Sequence, residues 1–208
     1  MSEVCQVKVW GRRACFTRPE FGAERVSYDV LTPSAARGVL EAVYWKPQMR
    51  WRVREIHVLN KIKRYSIVRN EINHAQTPNR KEPYYADSMK SPKEGGHGEN
   101  RAQRSTVMLR DVAYIIRAEI ELLDGDNVVK HLDQFRRRVR RGQCFHQPYA
   151  GTRECSLYFA PPERSDTPID LDTDLGLMLL DFDHDNRRPL FFSAQLRGGV
   201  LRVPEVEA

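Results

Sequence analysis

The apolar positions of this chain change period several times, and each change marks an element. Over residues 4–10, Cys5, Val7 and Val9 alternate with Gln6 and Lys8, the period of two expected of a strand with one buried face, and Gly11 closes it. Residues 34–44 switch to helical spacing. Ala35, Val39 and Val43 recur there with Ala36 and Leu40 beside them, Pro33 suits the first turn, and Pro47 prevents much continuation. Alternation returns over 51–59, where Trp51, Val53, Ile56 and Val58 interleave with Arg and His, and residues 62–72 are expected to continue that ribbon. Residues 106–123 alternate once more through Val112, Tyr114, Ile116, Ala118, Ile120 and Leu122, which predicts a long strand. The turn Asp124-Gly125-Asp126 then leads into a second helix at about 127–141, capped by Asp126 or Asn127 and burying Val128, Leu132, Phe135 and Val139. Residues 153–160 read as a further strand.

Between these elements, residues 73–105 are polar and rich in Pro, Gly, Lys and Glu, which predicts a mobile insertion. The order strand, helix, strand, insertion, strand, helix, strand predicts an α+β chain: a ferredoxin-like (RRM-like) βαββαβ domain over residues 1–162. Residues 163–208 are expected to form a small β-rich C-terminal appendage. It would use 175–182, 190–196 and 200–203 as strands, with Gly198-Gly199 as a hairpin turn. A length of 208 residues suits one domain of ordinary size with such an appendage.

Composition narrows the function classes. A hydrophobic content of 40% argues against disorder. No apolar run approaches the ~18 residues of a membrane span, and the segment Met1-Ser2-Glu3-Val4-Cys5 has no signal-peptide pattern. A cytoplasmic location without a membrane partner is therefore expected. Cys5, Cys15, Cys144 and Cys155 form no Cys-x-x-Cys pair, so they read as buried thiols rather than zinc ligands or a redox site. The net charge of +6 hints only mildly at a polyanionic partner. Its distribution says more. Residues 46–69 hold eight bases against Glu55, and residues 130–141 hold six bases against Asp133, whereas residues 163–185 hold eight acids against Arg164. Such two-sidedness suits a nucleic-acid groove on one face and a protein-contacting or solvated tail on the other.

Two short segments carry candidate chemistry. Lys130-His131 falls in the opening turn of the second helix, where backbone N–H groups and the helix dipole favour a phosphate, and it adds a cation and a titratable imidazole. Taken by pattern, an exposed Lys-His pair is ordinary surface. Tyr44-Trp45-Lys46-Pro47 ends the first helix and, by pattern, packs it against the sheet.

The strings Tyr44-Trp45-Lys46-Pro47, Leu109-Arg110-Asp111-Val112, Lys130-His131 and Gly151-Thr152-Arg153-Glu154-Cys155, followed by Phe159-Ala160-Pro161, resemble in this order the d-type Cas-five family of CRISPR type I-C (Dvulg). The likeness covers most of the chain. It implies an endoribonuclease that cuts precursor CRISPR RNA within each repeat and then stays on the mature crRNA. The other subunits of the type I-C interference complex would be its partners. It also implies an active site of a tyrosine, a lysine and a histidine, falling on Tyr44, Lys130 and His131. No cofactor is expected, because RNA carries its own nucleophile in the 2′-hydroxyl and the enzyme need only orient it and move protons. Lys46, Arg137, Arg140, Arg141 and Arg153 are the candidates for gripping RNA backbone.

A metal alternative rests on Asp181-Phe182-Asp183-His184-Asp185, which could offer hard oxygen ligands and one imidazole, but this run reads more simply as a solvated turn. His74, His97 and His146 fall in predicted loops without partners at ligand spacing. Two further readings stand beside the endoribonuclease: a non-catalytic RNA-capping subunit, and a metal-dependent DNA nuclease or duplex-DNA-binding protein suggested by the basic clusters.

Overall fold

Strict alternation becomes strand wherever one face can be covered. The computed structural model describes residues 4–21, 24–72, 101–123, 127–183 and 186–205. In β1 (Cys5–Ala14), Cys5, Val7 and Val9 are buried while Gln6 and Trp10 face outward. The other strands are β2 (Arg25–Val26), β3 (Met49–Val58), β4 (Arg64–Ile72), β5 (Arg101–Leu122), β6 (Tyr158–Ala160), β7 (Thr173–Asp183), β8 (Arg188–Arg197) and β9 (Val200–Arg202). The helices are α1 (Pro33–Val43) and α2 (Val128–Arg141). The turn expected at Asp124-Gly125-Asp126 lies outside the described residues.

The strands form one sheet in the order β6-β1-β5-β3-β9-β8-β7, with β2 and β4 also paired to β5. Every described ladder is antiparallel except the short β2–β5 pair. The 22 residues of β5 organise the sheet. Its first part pairs with β4, from Arg101↔Ile72 to Leu109↔Arg64. Its later part lies between β1 and β3, so Ile116 faces Val7 on one side and Ile56 on the other. Residues 64–72 do continue as a strand, but β5 rather than β3 is their partner. Of the segment expected as an insertion, residues 73–100 lie outside the described residues, and residues 101–105 stand in β5.

Both helices cover one face of this sheet, where Leu40, Val43, Leu132 and Phe135 join Trp51, Ile56 and Ile116 in one buried cluster. Trp51 of β3 meets Phe135 of α2 with ring centroids 4.8 Å apart. Burial of side chains this large contributes roughly 1.5–3 kcal/mol each, so the Trp51–Phe135 contact is a principal tie between α2 and the sheet. The C-terminal strands extend the same sheet through β9, which pairs with β3 at Ile56↔Leu201. Leu175, Met178, Ala194, Leu196 and Leu201 belong to the same buried cluster. Gly198 and Gly199 have φ of 53° and 70° and join β8 to β9, the doubly left-handed turn that favours glycine at both positions.

The strand expected over 153–160 is shorter, because its first part is a turn. The Cys155 N–H donates to Thr152 O at 2.9 Å, and Gly151 sits at φ 83° with its α-carbon so close to β1's end that an added Cβ would lie 2.0 Å from Cys15 O. Only Tyr158–Ala160 pairs with β1. Among the described residues no helix is long and apolar enough to cross a membrane.

Candidate active site

Tyr44 terminates α1. Its N–H still donates to Leu40 O at 2.8 Å, but its φ of −154° and ψ of 124° are extended, so the chain leaves the helix here. Pro47 follows three residues on and could not have continued the helix. The carbonyl of Tyr44 accepts from Trp51 Nε1 at 2.8 Å. The backbone of Tyr44 is thus fixed from both sides, and its ring is buried.

His131 reaches the same place from the start of α2. Asn127 caps this helix, its side-chain oxygen accepting from the Val129 N–H at 2.9 Å. The imidazole one turn further on is only 3% exposed, and its Nδ1 lies 2.8 Å from the hydroxyl of Tyr44. The ring centroids are 5.9 Å apart. The sequence expectation of a surface Lys-His pair therefore holds for half of it: Lys130 is exposed and His131 is not. Burying a polar ring is tolerable when it is hydrogen-bonded, and the phenol at Nδ1 supplies that bond. A phenol both donates and accepts. It can accept from Nδ1–H of the neutral ring and of the imidazolium alike, so the contact survives a proton moving on and off the other ring nitrogen.

The carbonyls that α1 leaves open at its end are taken up by the other helix and its sequel. Arg138 Nη1 donates to Val43 O at 2.7 Å, and its guanidinium carbon lies 5.2 Å from the centroid of the Tyr44 ring. The N–H of Phe145, beyond the left-handed cap Gly142, donates to Ala42 O at 2.8 Å. Phe145 is 83% exposed and Trp45 is 50% exposed. Sequence reasoning missed both Arg138 and Phe145, although Arg138 stands seven residues after His131, two turns along the same helix face.

The backbone-gripping candidates are all on the surface. Lys46 follows Tyr44 by two residues, Arg137, Arg140 and Arg141 are exposed along α2, and Arg153 is exposed in the turn after Gly151. That turn docks on the end of β1 through Cys15 N–H to Ala150 O at 3.0 Å. Burial raises the thiols of Cys15 and Cys155 above their ordinary range, which keeps them protonated near neutral pH and disfavours a nucleophilic role.

The acidic run has other engagements. Asp181 is held by both terminal nitrogens of Arg37, and Asp183 accepts from the backbone and side chain of Asn186 at 3.0 and 2.8 Å. His184 and Asp185 lie outside the described residues, as do His74 and His97. His146 is exposed, with Nδ1 3.4 Å from Gln147 O. A cleft of about 640 Å³ opens between α1, β3 and β7, lined by Arg37, Glu41, Trp45, Arg50, Asp181 and Phe182 among others. It touches none of Tyr44, Lys130 and His131, and Arg37 of α1 pairs across it with Asp181 of β7 and along its own helix with Glu41, so it is a seam between elements.

An α+β protein with this antiparallel sheet belongs, by fold, with solved CRISPR proteins. A crystal structure of a CRISPR-associated protein matches with a TM-score of 0.69 at 22% identity, covering 98% of this chain and 93% of the other. A chain of a CRISPR RNA-guided surveillance complex matches with a TM-score of 0.50 at 14% identity, over 97% and 91%. Sequence is more specific. The family model for CRISPR-associated protein Cas_Cas5, of the Cas5d type, matches residues 5–204. The CRISPR pre-crRNA endoribonuclease Cas5d of Thermus thermophilus is 41% identical over 96% of this chain and 90% of its own length. Its namesake in Mannheimia succiniciproducens is 39% identical over 98% and 96%. The chain belongs to the Cas5d family of CRISPR-associated proteins.

Proposed function

We propose that this chain is a metal-independent endoribonuclease that cuts precursor CRISPR RNA within the repeat and remains on the mature crRNA as a subunit of the type I-C interference complex. The relatives at about 40% identity carry the name of that activity. The observation that carries the reading is the Tyr44–His131 contact of 2.8 Å, which joins two residues 87 positions apart.

The reaction runs through the ribose 2′-hydroxyl, which attacks the adjacent phosphorus as the bond to the 5′-oxygen breaks, leaving a cyclic phosphate and a 5′-hydroxyl. With Nδ1 engaged by the phenol, the other ring nitrogen of His131 is the one that exchanges a proton with the attacking or leaving oxygen. Tyr44 holds the ring and its tautomer, and Lys130 offsets charge developing on the phosphate, an effect often worth about 3–4 kcal/mol. RNA recognised in single-stranded form offers its bases for stacking, and the exposed rings of Trp45 and Phe145 are suited to it.

The elements β1, α1, β3, β5, α2 and β6, with strand order β6-β1-β5-β3, support reading residues 1–162 as a ferredoxin-like (RRM-like) domain and 163–208 as its β-rich appendage. A cytoplasmic location and a secondary affinity for duplex DNA complete the proposal, the latter on basic charge alone.

Repeat RNA incubated with the protein in EDTA tests the reading. Cleavage is expected with wild type, together with a loss on the order of 100-fold or more for His131→Ala and Tyr44→Phe while RNA is still bound. A 2′-deoxy residue at the cut site should abolish cutting, and unchanged cleavage of that substrate would overturn the mechanism. The near-complete burial of His131 favours one competing reading, in which the Tyr–His pair is an internal strut of a non-catalytic RNA cap. That protein would bind repeat RNA in the same tubes and cut none.

A further inference from the structure

We infer that Arg138 is a positioning residue for cleavage, acting through Tyr44; the inference rests on the reading of Tyr44 and His131 as the reacting pair. Arg138 makes two contacts at the end of α1, and both bear on the same side chain. Its Nη1 donates to Val43 O at 2.7 Å, fixing the peptide bond that leads into Tyr44, and its guanidinium lies over the Tyr44 ring at 5.2 Å. A planar cation stacked on an aromatic face is attracted by the ring quadrupole, so the ring is held between Arg138 on its face and His131 Nδ1 at its hydroxyl.

Geometry makes this more than a helix cap. Tyr44 is extended, outside the helical hydrogen-bond pattern on its C-terminal side, so helix rigidity alone does not set its direction. Arg138 and His131 are seven residues apart on α2, which places them on one face two turns apart. A single rigid helix thus carries both the imidazole and the clamp on its phenol partner, and any shift of α2 relative to α1 moves the two together. Lysine would keep the charge without the planar fork, and glutamine would keep a donor for Val43 O without the charge over the ring. The neighbours Arg137, Arg140 and Arg141 are exposed, whereas Arg138 is half-buried and turned to α1, so it works on the protein and they face solvent.

The test measures two things on Arg138→Ala, Arg138→Lys and Arg138→Gln: the single-turnover cleavage rate at saturating protein, and the imidazole 15N signals of His131 in the RNA-free protein. Arg138→Ala is expected to cut about tenfold to 100-fold more slowly, with the repeat-RNA Kd within about threefold and the Nδ1 signal moved toward that of an imidazole lacking its partner. Arg138→Lys should recover part of both. A slower rate with an unchanged Nδ1 signal overturns the inference, since the arginine would then act on RNA. So does a shifted signal with an unchanged rate, or a rate loss that only tracks lost binding. If Arg138→Ala does not fold, the same criteria apply to the Lys and Gln variants. Should Tyr44→Phe and His131→Ala cut normally, the proposed function fails first; should they fail to cut while all three Arg138 variants behave as wild type, only this inference falls.

Discussion

The two stretches richest in basic residues, 46–69 and 130–141, differ in how most of their arginines are engaged. In the first, Arg52 pairs with Glu121 at 2.7 Å, Arg54 with Glu119 at 3.0 Å and Glu205 at 2.5 Å, Arg64 with Asp29 and Arg69 with Glu154, both at 2.5 Å. In the second, Arg138 is turned to α1, while Arg137, Arg140 and Arg141 are exposed with no ion-pair partner among the described residues. The reason is topological. The acids that quench β3 come from β5, more than 60 residues away in sequence, whereas an exposed helix face next to solvent meets no cross-strand neighbour. A local charge count therefore says little about surface potential in a strand and much more in an outer helix face. The exposed charge of Arg137, Arg140 and Arg141 lies on the helix that carries His131.

Removing that free charge should give the largest effect. The triple variant Arg137→Gln, Arg140→Gln, Arg141→Gln is expected to weaken repeat-RNA binding about 100-fold at moderate salt. The slope of log affinity against log salt should become shallower by about 2, since each phosphate contact to a single strand contributes roughly 0.7. Unfolding free energy should stay within about 0.5 kcal/mol per site. An unchanged slope would break the comparison at its stronger end. Next in size is Phe145→Ala. Stacking on an aromatic ring is worth about 1–3 kcal/mol per base, so a loss of about tenfold in affinity is expected with no change in salt slope; full retention of affinity would remove this ring from the RNA path. Third is Arg54→Ala, for which the pairs to Glu119 and Glu205 predict a loss of about 1 kcal/mol of stability and an RNA salt slope like that of wild type. A slope that falls here as it does for α2 would mean that the pairs open to RNA, and the contrast would vanish.

How far these regions could be read from the chain differs in the same way. Alternation located β1, β3 and β5 because one side of the sheet is covered by α1 and α2 and the period of two follows from that. Pro33 and Pro47 bracketed α1, and Asn127 capped α2. What alternation could not reveal is pairing. Residues 64–72 read as a continuation of the β3 ribbon, yet their ladder is with β5, a choice made by distant side chains. Turn conformation was equally hidden at 151–155, where Gly151 at φ 83° lies against Cys15, a contact no local pattern encodes. Of the site, the resemblance picked out the residue types, but the burial of His131 was not legible. On its own helix it stands off the centre of the apolar stripe, and its ring meets the hydroxyl of Tyr44, 87 residues earlier.

The smallest expected effect separates charge from packing in the ion-paired region. The guanidinium of Arg52 beside Glu121 holds that carboxyl below its ordinary value, chiefly by the hydrogen bond between them. A carboxylate with a lowered folded pKa contributes stability that is fully present above its unfolded value of about 4.3 and is lost as pH falls through the folded value. Arg52→Gln should therefore lower the unfolding free energy by less than about 1 kcal/mol at pH 7, since both side chains are open enough to water for screening. The gap between variant and wild type should be flat from pH 8 to 5 and close as pH drops below about 4. Urea titrations at pH 7 and pH 3 measure it. A gap that persists at pH 3 would show that Arg52 supports β3 by the packing of its stem and that the pairing with Glu121 adds nothing. That outcome would leave the β3 arginines quenched by geometry without being stabilised by it.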